Sequence, residues 1–227
     1  MWGREVGAMA GVSVPLHACE HFYVLTEEIP ELPSNMPVLR DPGGCAYYKE
    51  DAGKILLGAF EPNAKPWGME GIPEDFCFDE LAEDFDHFMP VLENAMERVP
   101  ALQDVGIRKF FNGPESFTPD VSYLLGEAPE LGNFFVAAGF NSIGIQSAGG
   151  AGKALAEWIV AGHPTMDLSD VDIRRMYPFQ ANKAYLKERV SESLGLLYAM
   201  HWPFYQKETA RGLRRSPFYD RLAAKGA

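Results

Sequence analysis

The most constraining stretch of this chain is an apolar run, Phe134-Phe135-Val136-Ala137-Ala138-Gly139, that leads straight into Phe140-Asn141-Ser142-Ile143-Gly144-Ile145-Gln146-Ser147-Ala148-Gly149-Gly150-Ala151-Gly152-Lys153. The run reads as a fully buried strand, and a helix is expected from about Gly152 to Val160, stopped by Gly162 and Pro164. A strand feeding a helix through this much glycine suggests backbone brought close to a ligand at a helix N-terminus. Two phosphate-binding patterns do not fit. A P-loop needs glycine where Ser147 stands and a hydroxyl where Ala154 stands. The GxGxxG spacing also fails, and the segment comes too late in the chain for a first βα turn. Two readings fit what remains. One is close strand–helix packing through glycine. The other is a helix N-terminus aimed at a partly anionic ligand, such as the N1/C2 oxygen edge of a reduced flavin.

The rest of the chain mixes strand and helix periods, which places it in the α/β class with α+β character. Residues 1–10 have helical character. His21 to Thr26 reads as a buried strand, followed by a connection carrying Pro30, Pro33 and Pro37. Residues 45–49 and 55–60 form a hairpin pattern around Glu50-Asp51-Ala52-Gly53. Leu81, Phe85, Phe88, Leu92, Met96 and Val99 recur at helical spacing, so a helix is expected over Asp79–Val99, kinked or broken at Pro90, with His87 solvated. Another strand is expected at Ile107–Asn112. After Pro164 the chain turns polar and helix-prone, with a basic surface cluster of Arg211, Arg214 and Arg215.

Composition narrows the function classes. Hydrophobic residues make up 47% of the 227, enough for a folded core. A net charge of -12 disfavours nucleic acid and anionic membrane as partners. No apolar run approaches the roughly 18–20 residues that span a bilayer. Cys19, Cys45 and Cys77 match no zinc or CxxC spacing, so they read as reduced thiols in a soluble intracellular protein, and no metal is expected.

Several segments together resemble the family of dimethylglycine dehydrogenase, sarcosine dehydrogenase and the pyruvate dehydrogenase phosphatase regulatory subunit. They are Pro15-Leu16-His17-Ala18-Cys19-Glu20-His21-Phe22-Tyr23, Gly113-Pro114-Glu115-Ser116-Phe117-Thr118-Pro119-Asp120, Gly126-Glu127-Ala128-Pro129-Glu130, the glycine-rich segment, and Arg215-Ser216-Pro217-Phe218-Tyr219. They stand in the family's order and span nearly the whole chain. The resemblance implies a D-amino-acid-oxidase-like FAD domain without its N-terminal Rossmann unit, carrying a mixed or antiparallel substrate-binding sheet. On that basis residues 1–12 are read as a remnant of the FAD-binding region and 13–115 as the substrate-binding sheet and helices. Residues 116–164 are read as the return to the FAD domain, and 165–227 as the start of a central linker module. Met1 is then read as an internal methionine of a longer parent, whose missing N- and C-terminal regions are the chain's partners. The resemblance implies mitochondrial matrix for a eukaryotic source and cytoplasm for a bacterial one.

The same resemblance assigns roles. The family oxidises a small N-methylated amino acid to an iminium by hydride transfer to flavin N5. Phe140, Asn141, Ser142, Ile143, Gly144 and Ile145 are the expected flavin contacts, and His21 and Tyr47 the expected active-site pair. Tetrahydrofolate enters only through a downstream domain, and the histidine that attaches FAD covalently in some members lies upstream of these residues. Chemically, amine oxidation needs a neutral nitrogen, and a histidine titrates in the range that accepts its proton. His17 stands four residues from His21 and faces the same side if the strand extends that far. A core-bonded histidine is the alternative for His21, and half-buried packing for Tyr47 or Tyr48, of which only one faces the site. Arg40 is a candidate partner for a substrate carboxylate or a surface residue; Phe117 and Thr118 line the pocket or simply pack. A non-catalytic regulatory protein, or an inactive piece, shares this architecture and stays open beside the enzyme.

Overall fold

The computed structural model describes residues 1–200 and 206–226. Its centre is an antiparallel sheet built around one long strand, β1 (His17–Thr26). On one edge β1 pairs with β4 (Lys54–Ala59) and then with β5 (Pro66–Trp67). β6 (Ile107–Phe117) runs along the other edge for nearly the whole length, His21 facing Gly113 across the ladder. β3 (Ala46–Asp51) continues the sheet beyond β4 through the expected hairpin, and β2 (Leu39–Asp41) forms the outer edge. The turn places Ala52 at φ 51 and Gly53 at φ 79.

One face of this sheet is closed by α2 (Phe85–Arg98), whose Phe88, Val91 and Ala95 pack on Phe22, Val24, Leu57 and Phe110. The helix starts later than its apolar spacing suggests. Asp84 caps it by accepting the His87 N–H, while upstream Leu81 N–H donates to Asn112 O as an extended segment along β6. No break occurs at Pro90. The carbonyl a proline cannot serve belongs to exposed Asp86, within reach of water. His87 is not solvated: its side chain is 15% exposed, and its ring lies 5.3 Å from that of Phe22.

A second core joins α1 (Gly3–Met9) and the segment after it to the hairpin of β7 (Leu124–Glu127) and β8 (Phe135–Ala138), through Val12, Val14, Leu16, Leu124 and Val136. The apolar run at 134–139 is therefore no fully buried strand. Only Val136 of β8 is buried, because β8 has a single partner strand. α3 (Gly144–Ala161) also begins earlier than expected and absorbs the glycines into its first turns. Its buried face is Ala151, Ala154 and Trp158, and it ends on Gly162 in the left-handed conformation. Gly126, at φ 113, sits so close to Trp158 that a Cβ would lie 2.4 Å from the indole.

Beyond α3 the chain packs back on the sheet. α4 (Lys183–Leu196) is capped by the Asn182 side chain and buries Leu186, Val190 and Leu194; Val190 and Leu194 join a cluster with Cys19, Phe60 and Phe117. Thus α4 covers part of the sheet face opposite α2. Arg214 lies over the rings of Tyr177 and Phe179, and α5 (Tyr219–Ala223) buries nothing. Among the described residues, no helix is long and apolar enough to cross a membrane and no cluster of side chains forms a metal site. The three cysteines are free.

Candidate active site

Strand alternation decides which side chains face the open part of the sheet. Phe22, Val24 and Tyr48 point into the α2 core, so His21, Tyr23 and Tyr47 point the other way. There they line a cleft of about 530 Å³ with Phe111, Glu115 and Ser142. Two glycines make the room. A Cβ on Gly58, paired with both Tyr23 and Tyr47, would lie 2.0 Å from Tyr47 Cζ. A Cβ on Gly113, opposite His21, would lie 2.7 Å from the Phe111 ring.

The His21 side chain is only 13% exposed. Its ring stands edge-on to Phe60 and Phe117, at centroid distances of 4.9 and 6.0 Å. Nδ1 lies 3.3 Å from Glu61 Oε2, and Nε2 lies 3.9 Å from Glu115 Oε2. Burial works to lower the His21 pKa, but the bond to Glu61 and the charges of Glu61 and Glu115 outweigh it, so the pKa is raised. His17 shares the strand face but not the cleft. Burial, with Arg4 and Lys183 nearby, pulls its pKa down to about 4, and its Nε2 contacts Met69 Sδ. Burial, reinforced by Tyr198 and Glu115, pushes the Tyr47 phenol up to about 12, so it keeps its proton.

The glycine-rich segment reaches this cleft through a fixed turn. Gly139, Asn141 and Ser142 adopt φ of 65, 49 and 64. Asn141 is buried, donating to Gly139 O at 2.7 Å and accepting from Thr118 N–H at 2.9 Å. Ser142 N–H donates to Glu115 Oε1 at 2.9 Å, and its hydroxyl bonds the other oxygen of the same carboxylate. Phe140 stacks on Tyr123 at 4.6 Å, and Ile145 is fully exposed. Gly149, Gly150 and Gly152 meet nothing within 4 Å of a built Cβ. Helix packing therefore gives no reason for these three glycines, each of which costs about 0.5–1 kcal/mol relative to alanine in a helix.

The structure brings His21, Tyr47 and Ser142 together from three separate parts of the chain. Phe117 lies wholly buried behind His21, and wholly buried Thr118 anchors the turn without lining the cleft. Arg40 pairs with Tyr47 across β2 and β3 but does not line the cleft: it donates to Leu197 O at 2.7 Å and lies over the Tyr198 ring at 4.1 Å. Among the described residues the cleft has no lysine or arginine in its lining, while Glu115 and Asp79 supply acid. Glu61 and Glu115 were not singled out from sequence. The available signal for Glu61 was a carboxylate between Phe60 and Pro62, directly after an apolar strand, where burial is expensive.

An antiparallel sheet whose cleft meets a glycine-opened helix is a D-amino-acid-oxidase-like arrangement. The fold is similar to that of the L-proline dehydrogenase of P. horikoshii, with a TM-score of 0.61 and 24% identity over 77% of this chain and 44% of that one. The chain belongs to the FAD dependent oxidoreductase family, whose model matches residues 1–158; the FAD dependent oxidoreductase central domain matches 161–216. Curated relatives align with 100% of the chain. The 4-methylaminobutanoate oxidase (formaldehyde-forming) of Paenarthrobacter nicotinovorans is 48% identical, with 27% of its length covered. The mitochondrial pyruvate dehydrogenase phosphatase regulatory subunit of Mus musculus is 44% identical, with 26% covered, and mouse mitochondrial sarcosine dehydrogenase 40%, with 24% covered. The chain thus spans about a quarter of the length of these relatives.

Proposed function

We propose that this chain forms the substrate side of an FAD-dependent enzyme that oxidises small N-methylated amines carrying a carboxylate. The observation that carries this reading is the shared cleft: His21 and Tyr47 from the sheet face Ser142 from the start of α3. The residues fit a flavin on one specific point. The open glycines of α3 leave a strip that any side chain would fill, next to first-turn amides that have no helical acceptor. Residues 140–145 would hold the ring edge there, and when bound the FAD supplies the two-electron acceptor that the amine needs.

This chain's own residues prepare the amine. Tyr23, Tyr47 and Phe111 offer aromatic walls, and Glu115 and Asp79 add negative charge, which together suit a small ammonium ion. His21 accepts the proton that must leave before the nitrogen lone pair can assist oxidation. Tyr47, protonated throughout the working range, donates a hydrogen bond that orients the ligand. A cleft wall without lysine or arginine favours substrates whose carboxylate reaches beyond the amine end, as in a 4-methylamino acid, over those that bind it tightly there.

The test is anaerobic addition of sarcosine, dimethylglycine and 4-methylaminobutanoate to the FAD-loaded protein. Bleaching of the visible flavin band by any of them supports the reading. A bound flavin that none of them reduces rejects it, and favours the regulatory alternative suggested by the 44% identical phosphatase subunit.

A further inference from the structure

Glu61 is the least expected residue of this molecule. Its side chain is 1% exposed, yet it carries a carboxylate, and its Oε1 has no hydrogen-bond partner among the described residues. Its other oxygen lies 3.3 Å from His21 Nδ1. A carboxylate taken out of water with one partner is a liability unless that partner needs it. The backbone around it is fixed from outside the sheet. Gly195 of α4 approaches so closely that a Cβ there would sit 2.6 Å from Pro62 Cα and 2.9 Å from Glu61 O.

We infer that Glu61 is a positioning residue for His21, accepting the Nδ1–H so that Nε2 is the ring nitrogen that takes the substrate's proton. This rests on the amine-oxidising reading above. The proton balance is simple. The N–H bond of the ammonium breaks as Nε2–H forms, leaving a neutral amine and an imidazolium held against Glu61. The proton then leaves from Nε2 towards Glu115 Oε2, 3.9 Å away on a side chain that is 36% exposed, and on to water. A carboxylate on Nδ1 thus fixes the tautomer and raises the basicity of the far nitrogen.

The other titratable groups around the pair do not compete. Cys19 on β1, Cys45 before β3, Tyr47 on β3 and Tyr198 after α4 are all held protonated, in each case mainly by burial. Tyr23 on β1 completes the cleft wall. Glu61 and Glu115 are therefore the charges that His21 feels.

The experiment is ¹⁵N NMR of the His21 ring in the wild-type chain and in Glu61→Gln, followed by the pH profile of flavin reduction in the FAD-loaded protein. Expected in the wild type is a neutral form protonated on Nδ1, with a midpoint above the ordinary histidine value of about 6.5. In Glu61→Gln burial remains and the carboxylate is gone, so the midpoint falls below about 6.5, and the acidic limb of the rate profile, where His21 must lose its proton to act as a base, moves to lower pH with it. Glu61→Asp is expected to restore part of the shift. An Nε2–H tautomer in the wild type, or a midpoint that Glu61→Gln leaves in place, overturns the inference even if the variant is unstable, because the tautomer is read on the unaltered chain. If the NMR results hold and no N-methyl amine reduces the flavin, the pairing stands and the substrate reading falls.

Discussion

Thr118 and Asn141 lock the end of β6 to the turn that opens α3. The Thr118 N–H donates to Asn141 Oδ1 at 2.9 Å, and both residues are almost wholly buried. The bond spans the gap between the strand that carries Glu115 and the turn that carries Ser142, so the geometry of the cleft depends on it. Asn141→Ala leaves the Thr118 amide buried without its acceptor and is expected to cost about 1–3 kcal/mol. Urea unfolding of the variant measures this. A loss under a few tenths of a kcal/mol would mean that the turn is held by something else.

The open glycines of α3 make an opposite prediction. Gly150→Ala adds a methyl group that meets nothing within 4 Å, so the free chain gains about 0.5–1 kcal/mol in stability. The same methyl group fills the strip assigned to the flavin, so affinity for added FAD falls. Gly126→Ala is the control: at φ 113 and against Trp158, it destabilises the chain. Unchanged FAD affinity in Gly150→Ala would remove this helix face from the cofactor site.

Much of this was legible in the sequence, and the gaps have physical causes. The β3–β4 hairpin was readable because Ala52 and Gly53 supply the turn and both strands are apolar. His21 and Tyr47 were paired by the family resemblance alone; that they share one face of the sheet and line one cleft is visible only in the fold. The early start of α3 was hidden because helix propensity penalises glycine, whereas the packing of Ala151, Ala154 and Trp158 decides the matter. Arg40, readable from sequence as a carboxylate partner or a surface residue, stands opposite Tyr47 in the sheet, and its guanidinium engages Leu197 O and the Tyr198 ring. Glu61 stayed invisible because a lone glutamate reads as surface until burial is known.

The three thiols are expected to react in order of exposure and acidity. Cys77 is exposed and labels first with a maleimide at neutral pH. Cys45 is slower, since burial and the nearby Asp41 and Glu61 raise its pKa. Cys19, wholly buried with its pKa raised mainly by burial, labels only on unfolding. Mass-spectrometric counting of labels against time shows the three steps; early modification of Cys19 would contradict its place beneath α4.

Gly195→Ala tests the link between α4 and the His21 pair. The added Cβ meets backbone atoms of Glu61 and Pro62, not a side-chain tip that can swing away. Overpacking of this kind costs about 1–3 kcal/mol. More specifically, a displaced Glu61 loosens its bond to His21, so the His21 midpoint drops in the folded variant. A destabilised variant with an unmoved His21 midpoint would show that α4 supports the sheet without setting the pair.

The raised His21 pKa also makes stability depend on pH with a definite sign. The folded state holds the proton more tightly than the unfolded chain, whose histidine titrates near about 6.5. Stability from the His21–Glu61 pair is therefore fully present below that value, and it is lost as pH rises through the higher folded-state midpoint. His21→Gln removes this contribution at every pH, so the gap in unfolding free energy between wild type and variant is wide at mildly acidic pH and narrows above neutrality. Paired urea titrations across this range provide the measurement. A gap that widens with pH would mean that the folded pair binds fewer protons than the unfolded chain, with His21 buried neutral and its pKa lowered, and that the base of the site is not the one the geometry selects.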